Sequence, residues 1–165
     1  MEFDYRASSL KKVEIDEDAE IVYSGHKPQV GDVVAVRITH VNEDYRELDL
    51  EGGELVQLRE GDVVLGVLGN RSGVKGYIGE VPDSLDRGGS IEFLGSGGIF
   101  GRYISGAREL DQPCEAELLG YVSHNSTILN TRDFGTDHAR EVEADADLVA
   151  VVASRMDAGK TTLAS

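Results

Sequence analysis

Leu148-Val149-Ala150-Val151-Val152-Ala153 is a run of small apolar residues, and Ser154-Arg155-Met156-Asp157-Ala158-Gly159-Lys160-Thr161-Thr162 follows it without a break. The run reads as a buried strand, because it offers no polar face to water. The segment after it is a loop of mostly small residues, and Gly159-Lys160-Thr161-Thr162 stands where a helix begins. Amide N–H groups gathered at such a bend have no intrahelical partners, so they are free to hold oxyanions. A strand, a tight loop and a helix start predict the opening of an α/β layer at residues 147–165.

Moving back along the chain, residues 138–146 read as an acidic linker, part of the polar stretch Gly135–Asp147. Everything before it, residues 1–137, reads as a β body. Glycine is frequent (20 residues) and proline rare (3), and short β-rich runs lie between glycine turns. The expected strands are Ala19–Tyr23, Asp32–His40, Glu47–Leu50, Asp62–Leu68, Gly76–Glu80, Ser90–Leu94, Ile99–Ile104, Cys114–Val122 and Thr127–Thr131. Several alternate apolar with polar residues, as Val34-Ala35-Val36-Arg37-Ile38-Thr39-His40 does, which predicts one buried and one wet face. Short, evenly spaced strands suit a small barrel or sandwich. The fold class expected is therefore mainly β, a small β-barrel or sandwich followed by the first strand and phosphate-type loop of an α/β domain.

Gly31-Asp32-Val33-Val34 recurs thirty residues later as Gly61-Asp62-Val63-Val64. Glycine supplies a positive φ and aspartate bonds the local backbone, so each copy reads as a turn leading into a strand. The repeat fits either duplicated hairpins or a strand-start signal used twice.

Thirty-one acidic residues against 16 basic ones leave a formal charge of −15. Such a chain repels nucleic acid and anionic lipid. It has only ten aromatic residues and no Trp, which argues further against single-stranded nucleic acid as a partner. The acidity fits either a surface adapted to high salt or an ordinary solvated acidic face. No run reaches the ~18 apolar residues that a membrane span needs. The first residues, Met1-Glu2-Phe3-Asp4-Tyr5-Arg6, lack the basic-then-apolar pattern of a secretory signal. A single cysteine, Cys114, excludes an internal disulfide, and together these features predict a cytoplasmic protein.

The segment 154–162 resembles the Walker A element of P-loop NTPases, Gly-x-x-x-x-Gly-Lys-Thr/Ser, with Ser154 in the place of the first glycine. Its Asp-Ala-Gly-Lys-Thr-Thr core is similar to the branch that contains dethiobiotin synthetase, cobyric acid synthase and the ParA/MinD-type ATPases. The resemblance covers about fifteen residues, Leu148–Thr162. It implies ATP (or GTP) and Mg²⁺ as cofactors. Ser154, Asp157, Ala158 and Gly159 would form the phosphate cradle and Lys160 would reach the β- and γ-phosphates. Thr161 would ligate Mg²⁺ and Thr162 would contact the α-phosphate. A β-barrel in front of such a domain is similar in architecture to HerA-type and rotary ATPase barrels, which implies a barrel that mediates self-assembly or docks a protein partner.

Other motifs yield less chemistry. Gly95-Ser96-Gly97-Gly98-Ile99-Phe100-Gly101 places Phe100 where a dinucleotide fingerprint needs glycine, so it reads as a glycine-rich hairpin or corner. His26, His40, His124 and His138 are dispersed, with no His or Cys at metal-ligand spacing, and His124 reads as part of a polar turn. Cys114 reads as a small buried residue. Arg71, Lys75, Arg102 and Arg108 fit either an anion-binding face or scattered surface cations. The expectation is an N-terminal portion of an ATP-binding protein, the parent being an ATPase or phosphotransferase. This portion alone is expected to be inactive, because the acidic strand that completes a Mg²⁺ site would follow residue 165. The alternative is a β-barrel module that binds a protein or small ligand and has no nucleotide activity.

Overall fold

The computed structural model describes residues 2–16, 18–23, 25–72, 76–108, 110–135 and 152, and the chain divides into one unit at Met1–Gly135 and another at Thr136–Ser165. The first unit is mainly β. Its strands are β1 (Tyr5–Arg6), β2 (Glu20–Val22), β3 (Val33–His40), β4 (Glu47–Asp49), β5 (Leu55–Gln57), β6 (Val63–Leu68), β7 (Tyr77–Glu80), β8 (Ser90–Gly95), β9 (Ile99–Gly106), β10 (Glu115–His124) and β11 (Thr127–Ile128). Two short 3₁₀ turns, Ser8–Leu10 and Thr131–Phe134, complete it. No helix among the described residues is long and apolar enough to cross a membrane.

All strands but β4 and β5, which form their own hairpin, belong to one large mixed sheet. β3 pairs antiparallel with both β6 and β10, β10 with β8, and β8 with β9. β9 then runs parallel to β6 through Val67↔Ile99 and Leu68↔Phe100, so the path of pairings returns to β6. β10 bends at two register shifts, between Glu115 and Ala116 and between Leu118 and Gly120. Its first half thereby meets β8 and its last residues meet β2. Shifts of this kind disrupt the ladder locally and sharpen the twist of a strand.

The expected wet face of β3 is exposed at Arg37 and Thr39 and covered at Val33 and Ala35. Val34, Val36 and Ile38 point into one core with Val64, Leu68, Ile91, Phe93, Phe100, Leu118 and Tyr121. Val33 and Ala35, on the opposite face, join a second core with Leu65, Val67 and Val122. Leu10, Val13 and Ala19 of the N-terminal segment close that second core. Strand alternation marks two faces but cannot say that a segment earlier in the chain covers the start of the second. β1 and β5 were not among the expected strands, being two and three residues long. The expected strand Thr127–Thr131 is β11 followed by the turn at Thr131–Phe134.

The Gly-Asp repeat is a structural repeat. Gly31 has φ 91° and Gly61 has φ 94°, values open to glycine and strained for other residues. Gln29 N–H donates to Asp32 Oδ2 at 2.8 Å, and Arg59 N–H donates to Asp62 Oδ2 at 2.8 Å. Gly31 N–H bonds the Leu68 carbonyl at 2.7 Å, while Gly61 N–H bonds that of Ile38 at 2.8 Å. Leu68 N–H and Ile38 N–H return to the Asp32 and Asp62 carbonyls at 2.9 Å each. The pairing of β3 with β6, from Val33↔Val67 to Arg37↔Val63, maps onto itself when the two copies are exchanged. The two turns are thus related by a local pseudo-twofold.

Candidate functional site

The residues expected to cradle phosphate, Ser154, Asp157, Ala158, Gly159, Lys160, Thr161 and Thr162, lie outside the described residues, as do His138 and Lys75. Among the described residues of the β unit, one buried polar constellation is built on a copy of the repeated turn.

Asp32 is 2 % exposed, and both its oxygens are occupied. Oδ2 accepts from Gln29 N–H and lies 2.7 Å from His26 Nε2, and Oδ1 accepts from Asn130 Nδ2 at 2.9 Å. The backbone explains how Asn130 arrives. Asp32, just before β3, and Asn130, just after β11, form an isolated antiparallel bridge. Asn130 also donates to the Val30 carbonyl at 3.0 Å, and its Oδ1 accepts from Arg132 N–H at 3.0 Å, capping the 3₁₀ turn. Gly31 lies under this amide, because a Cβ there would stand 2.5 Å from Asn130 Oδ1 and 2.7 Å from Thr131 Oγ1.

Because Oδ2 already accepts an amide N–H, the hydrogen-bond network assigns Nε2–H to His26 as the donor, which leaves the lone pair of a neutral ring on Nδ1. The ring packs edge-on against Tyr121, centroids 4.9 Å apart at 74°. Tyr121 is buried, its hydroxyl donates to the Leu85 carbonyl at 3.2 Å, and its phenol pKa is pushed up to about 12 by burial first, then by the charges of Asp32 and Asp86. It serves as a fixed wall. His26 and Asp32 open onto a cavity of about 420 Å³, lined also by Gln29, Ser126, Thr127, Asn130, Arg132 and Asp133.

Two other clusters have structural explanations. Asp16 Oδ2 and Asp18 Oδ1 lie 3.3 Å from His124 Nδ1, and the three ligand-type atoms fall within 4.8 Å of one another. His124 Nε2, however, faces Asn125 Nδ2 at 2.6 Å, which assigns the ring proton to Nδ1 and opposes its use as a metal ligand. His124 closes the β10–β11 hairpin, whose two-residue loop has φ 50° at Asn125 and φ 64° at Ser126. Cys114 is fully buried, burial raises its thiol pKa, and Sγ accepts Asn42 N–H at 3.2 Å. Asn42 Nδ2 reaches Tyr77 Oη at 3.0 Å and the Gln112 carbonyl at 2.6 Å. This network pins the loop after β3, and a raised thiol pKa opposes nucleophilic use.

The glycine-rich segment Gly95–Gly98 is the β8–β9 hairpin loop, packed on the N-terminal segment through Ser9 N–H to the Gly97 carbonyl at 3.1 Å. Of the cations in question, Arg71 bonds the Leu94 carbonyl and, at 2.9 Å, the Tyr45 hydroxyl, while Arg102 pairs with Glu80. Arg71 and Arg102 are each engaged by partners within the protein.

The His26–Asp32 pair was missed in the sequence because six positions separate two unremarkable polar residues. Aligning the two turns would have exposed it: His26 in one copy stands where Val56 stands in the other. Comparison with known protein families, curated proteins and solved structures finds no match for this chain.

Proposed function

We propose that the chain is the N-terminal portion of an ATP-binding P-loop protein of the cytoplasm, in which a small β-barrel serves assembly or partner docking. The observation that carries this reading is the apolar run Leu148–Ala153 leading directly into Asp157-Ala158-Gly159-Lys160-Thr161-Thr162. Lys160 contacts the β- and γ-phosphates, Thr161 holds Mg²⁺, and Thr162 reaches the α-phosphate. Ser154, Asp157, Ala158 and Gly159 shape the loop around the phosphates. Catalysis in the complete protein rests on positioning and charge neutralisation, since phosphoryl transfer asks little covalent chemistry of the protein. The barrel reading is supported by the circuit of pairings β6–β3–β10–β8–β9–β6, which leaves those strands without a free edge within the circuit.

The test is Mg²⁺-ATP binding by the protein carrying the entire α/β domain, beside Lys160→Ala. A loss of at least about tenfold in affinity is expected, since the lysine supplies a charge-assisted contact. Equal affinity in the two proteins refutes the assignment.

A further inference from the structure

We propose that the cavity beside His26 binds hydrogen phosphate, an oxyanion that keeps a P–OH at neutral pH, through His26 Nδ1, Arg132 and Asp133. The site is separate from the Lys160 motif and does not depend on it.

The repeated turn supplies an internal control. Asp62 makes the same 2.8 Å backbone bond as Asp32 and stays partly exposed. The turn therefore needs neither a buried carboxylate nor any partner beyond that amide. Asp32 nevertheless gains His26 and Asn130 and loses its water. Burying a carboxylate is costly even when it is hydrogen-bonded, so the added partners serve something besides the turn. Their chemical effect is to fix the His26 tautomer, a role buried carboxylates play for functional imidazoles. In the neutral ring Nδ1 is then the acceptor, and His26's one hydrogen bond among the described residues is the one that Nε2 makes.

The rest of the cavity narrows the ligand. Arg132, Ser126, Thr127 and Gln29 offer donors, and among the described residues the Arg132 guanidinium makes one contact, at 3.3 Å, on the Val30 carbonyl. Asp133 and His26 Nδ1 offer acceptors. A ligand that satisfies both sets must carry oxyanion oxygens and a proton on one of them. Inorganic phosphate does so near neutral pH, where each of its species keeps a P–OH, whereas a phosphomonoester, with its second pKa at about 6, is mostly a dianion without one. Sulfate has the same shape and no proton, so it would face Nδ1 and the Asp133 carboxylate with repulsion. A simple carboxylate also lacks the proton. A metal ion is disfavoured by the guanidinium beside a single imidazole nitrogen.

The experiment is titration of the full chain in a Lys160→Ala background, so that the second phosphate motif contributes nothing. Inorganic phosphate, phenyl phosphate and sulfate are added separately at fixed ionic strength and pH 7. Imidazole ¹⁵N shifts of His26 and calorimetry give the readout. Saturable binding of inorganic phosphate, with the Nδ1 resonance shifting and with sulfate and phenyl phosphate, both largely proton-free at this pH, inert, supports the site. Binding of the ester as tightly as inorganic phosphate shows that no ligand proton is needed and overturns the proposal. Arg132→Ala removes an exposed side chain without touching either core and should weaken binding at least about tenfold. Asp62→Asn alters the matching turn and should leave binding unchanged. Equal response to sulfate and phosphate, absence of any saturable shift, or undiminished binding in Arg132→Ala overturns the proposal.

Discussion

Alanine at Gly31 and at Gly61 is the same substitution made at the two related turns, and the outcomes should differ. The shared cost is backbone strain at φ 91° and 94°, about 1–2 kcal/mol for a side chain held in that region. At Gly61 nothing lies within 4 Å of the new Cβ, so strain is the whole effect. At Gly31 the Cβ would meet Asn130 Oδ1 at 2.5 Å and Thr131 Oγ1 at 2.7 Å, forcing the Asn130 amide to move. That movement breaks the Asn130 bonds to Asp32 Oδ1 and the Val30 carbonyl, one of them to a buried carboxylate. Losing the pair adds about 2–4 kcal/mol. Gly31→Ala should therefore be the less stable variant by that amount, a gap of about 6–20 °C in Tm for a domain of this size. Urea unfolding at constant m-value measures it. In an Asn130→Ala background the share of the extra cost that comes from the Asn130 bonds should vanish, leaving only the Thr131 Oγ1 contact to separate Gly31→Ala from Gly61→Ala, and a double-mutant cycle isolates that coupling. Equal destabilisation in the wild-type background would refute the claim that the first turn is tied to Asn130 and the second is not.

Three further outcomes are expected. Cys114→Ala should lower stability by about 1–3 kcal/mol through the stranded Asn42 N–H and the lost volume, and native Cys114 should react with a thiol reagent only on unfolding. Tyr77 and Tyr121 have phenols raised from 10.0 to about 12, so the native state holds these protons more tightly than the unfolded chain. Their contribution is complete below pH 10 and declines as pH rises from 10 towards 12. Tyrosinate absorbance in an alkaline titration should show late-ionising phenols that appear together with unfolding, and fewer of them in Tyr121→Phe. Asp32→Asn should destabilise the chain more than Asp62→Asn in chemical denaturation, because only the first leaves a histidine and an amide with a poorer acceptor.

The long strands were legible because Val, Ile and Leu runs such as Val33–Ile38 and Val63–Leu68 carry their own signal between glycine turns. The Gly-Asp turns were legible as turns for the same local reason. Their relation by a pseudo-twofold was open, since it depends on β3 pairing with β6, a contact between segments thirty residues apart. The double burial of β3 was illegible because Leu10 and Val13 look like ordinary residues of a short irregular segment until they fold over it. The His26 cavity was illegible for a stronger reason. Asn130 lies 98 residues from Asp32, and only the bridge beyond β11 brings its amide to that carboxylate. Motifs whose chemistry is contiguous, as in Gly159-Lys160-Thr161, can be read from a sequence, whereas sites assembled across a sheet cannot.

Titration of Mg²⁺-ATP into the protein that contains the complete α/β domain, with Lys160→Ala and Thr161→Ala measured alongside, bears most directly on the proposed function. The expected result is saturable binding to the unsubstituted protein, loss of affinity in Lys160→Ala, and loss of the Mg²⁺ dependence in Thr161→Ala. Nucleotide binding that is absent throughout, or indifferent to both substitutions, would contradict it.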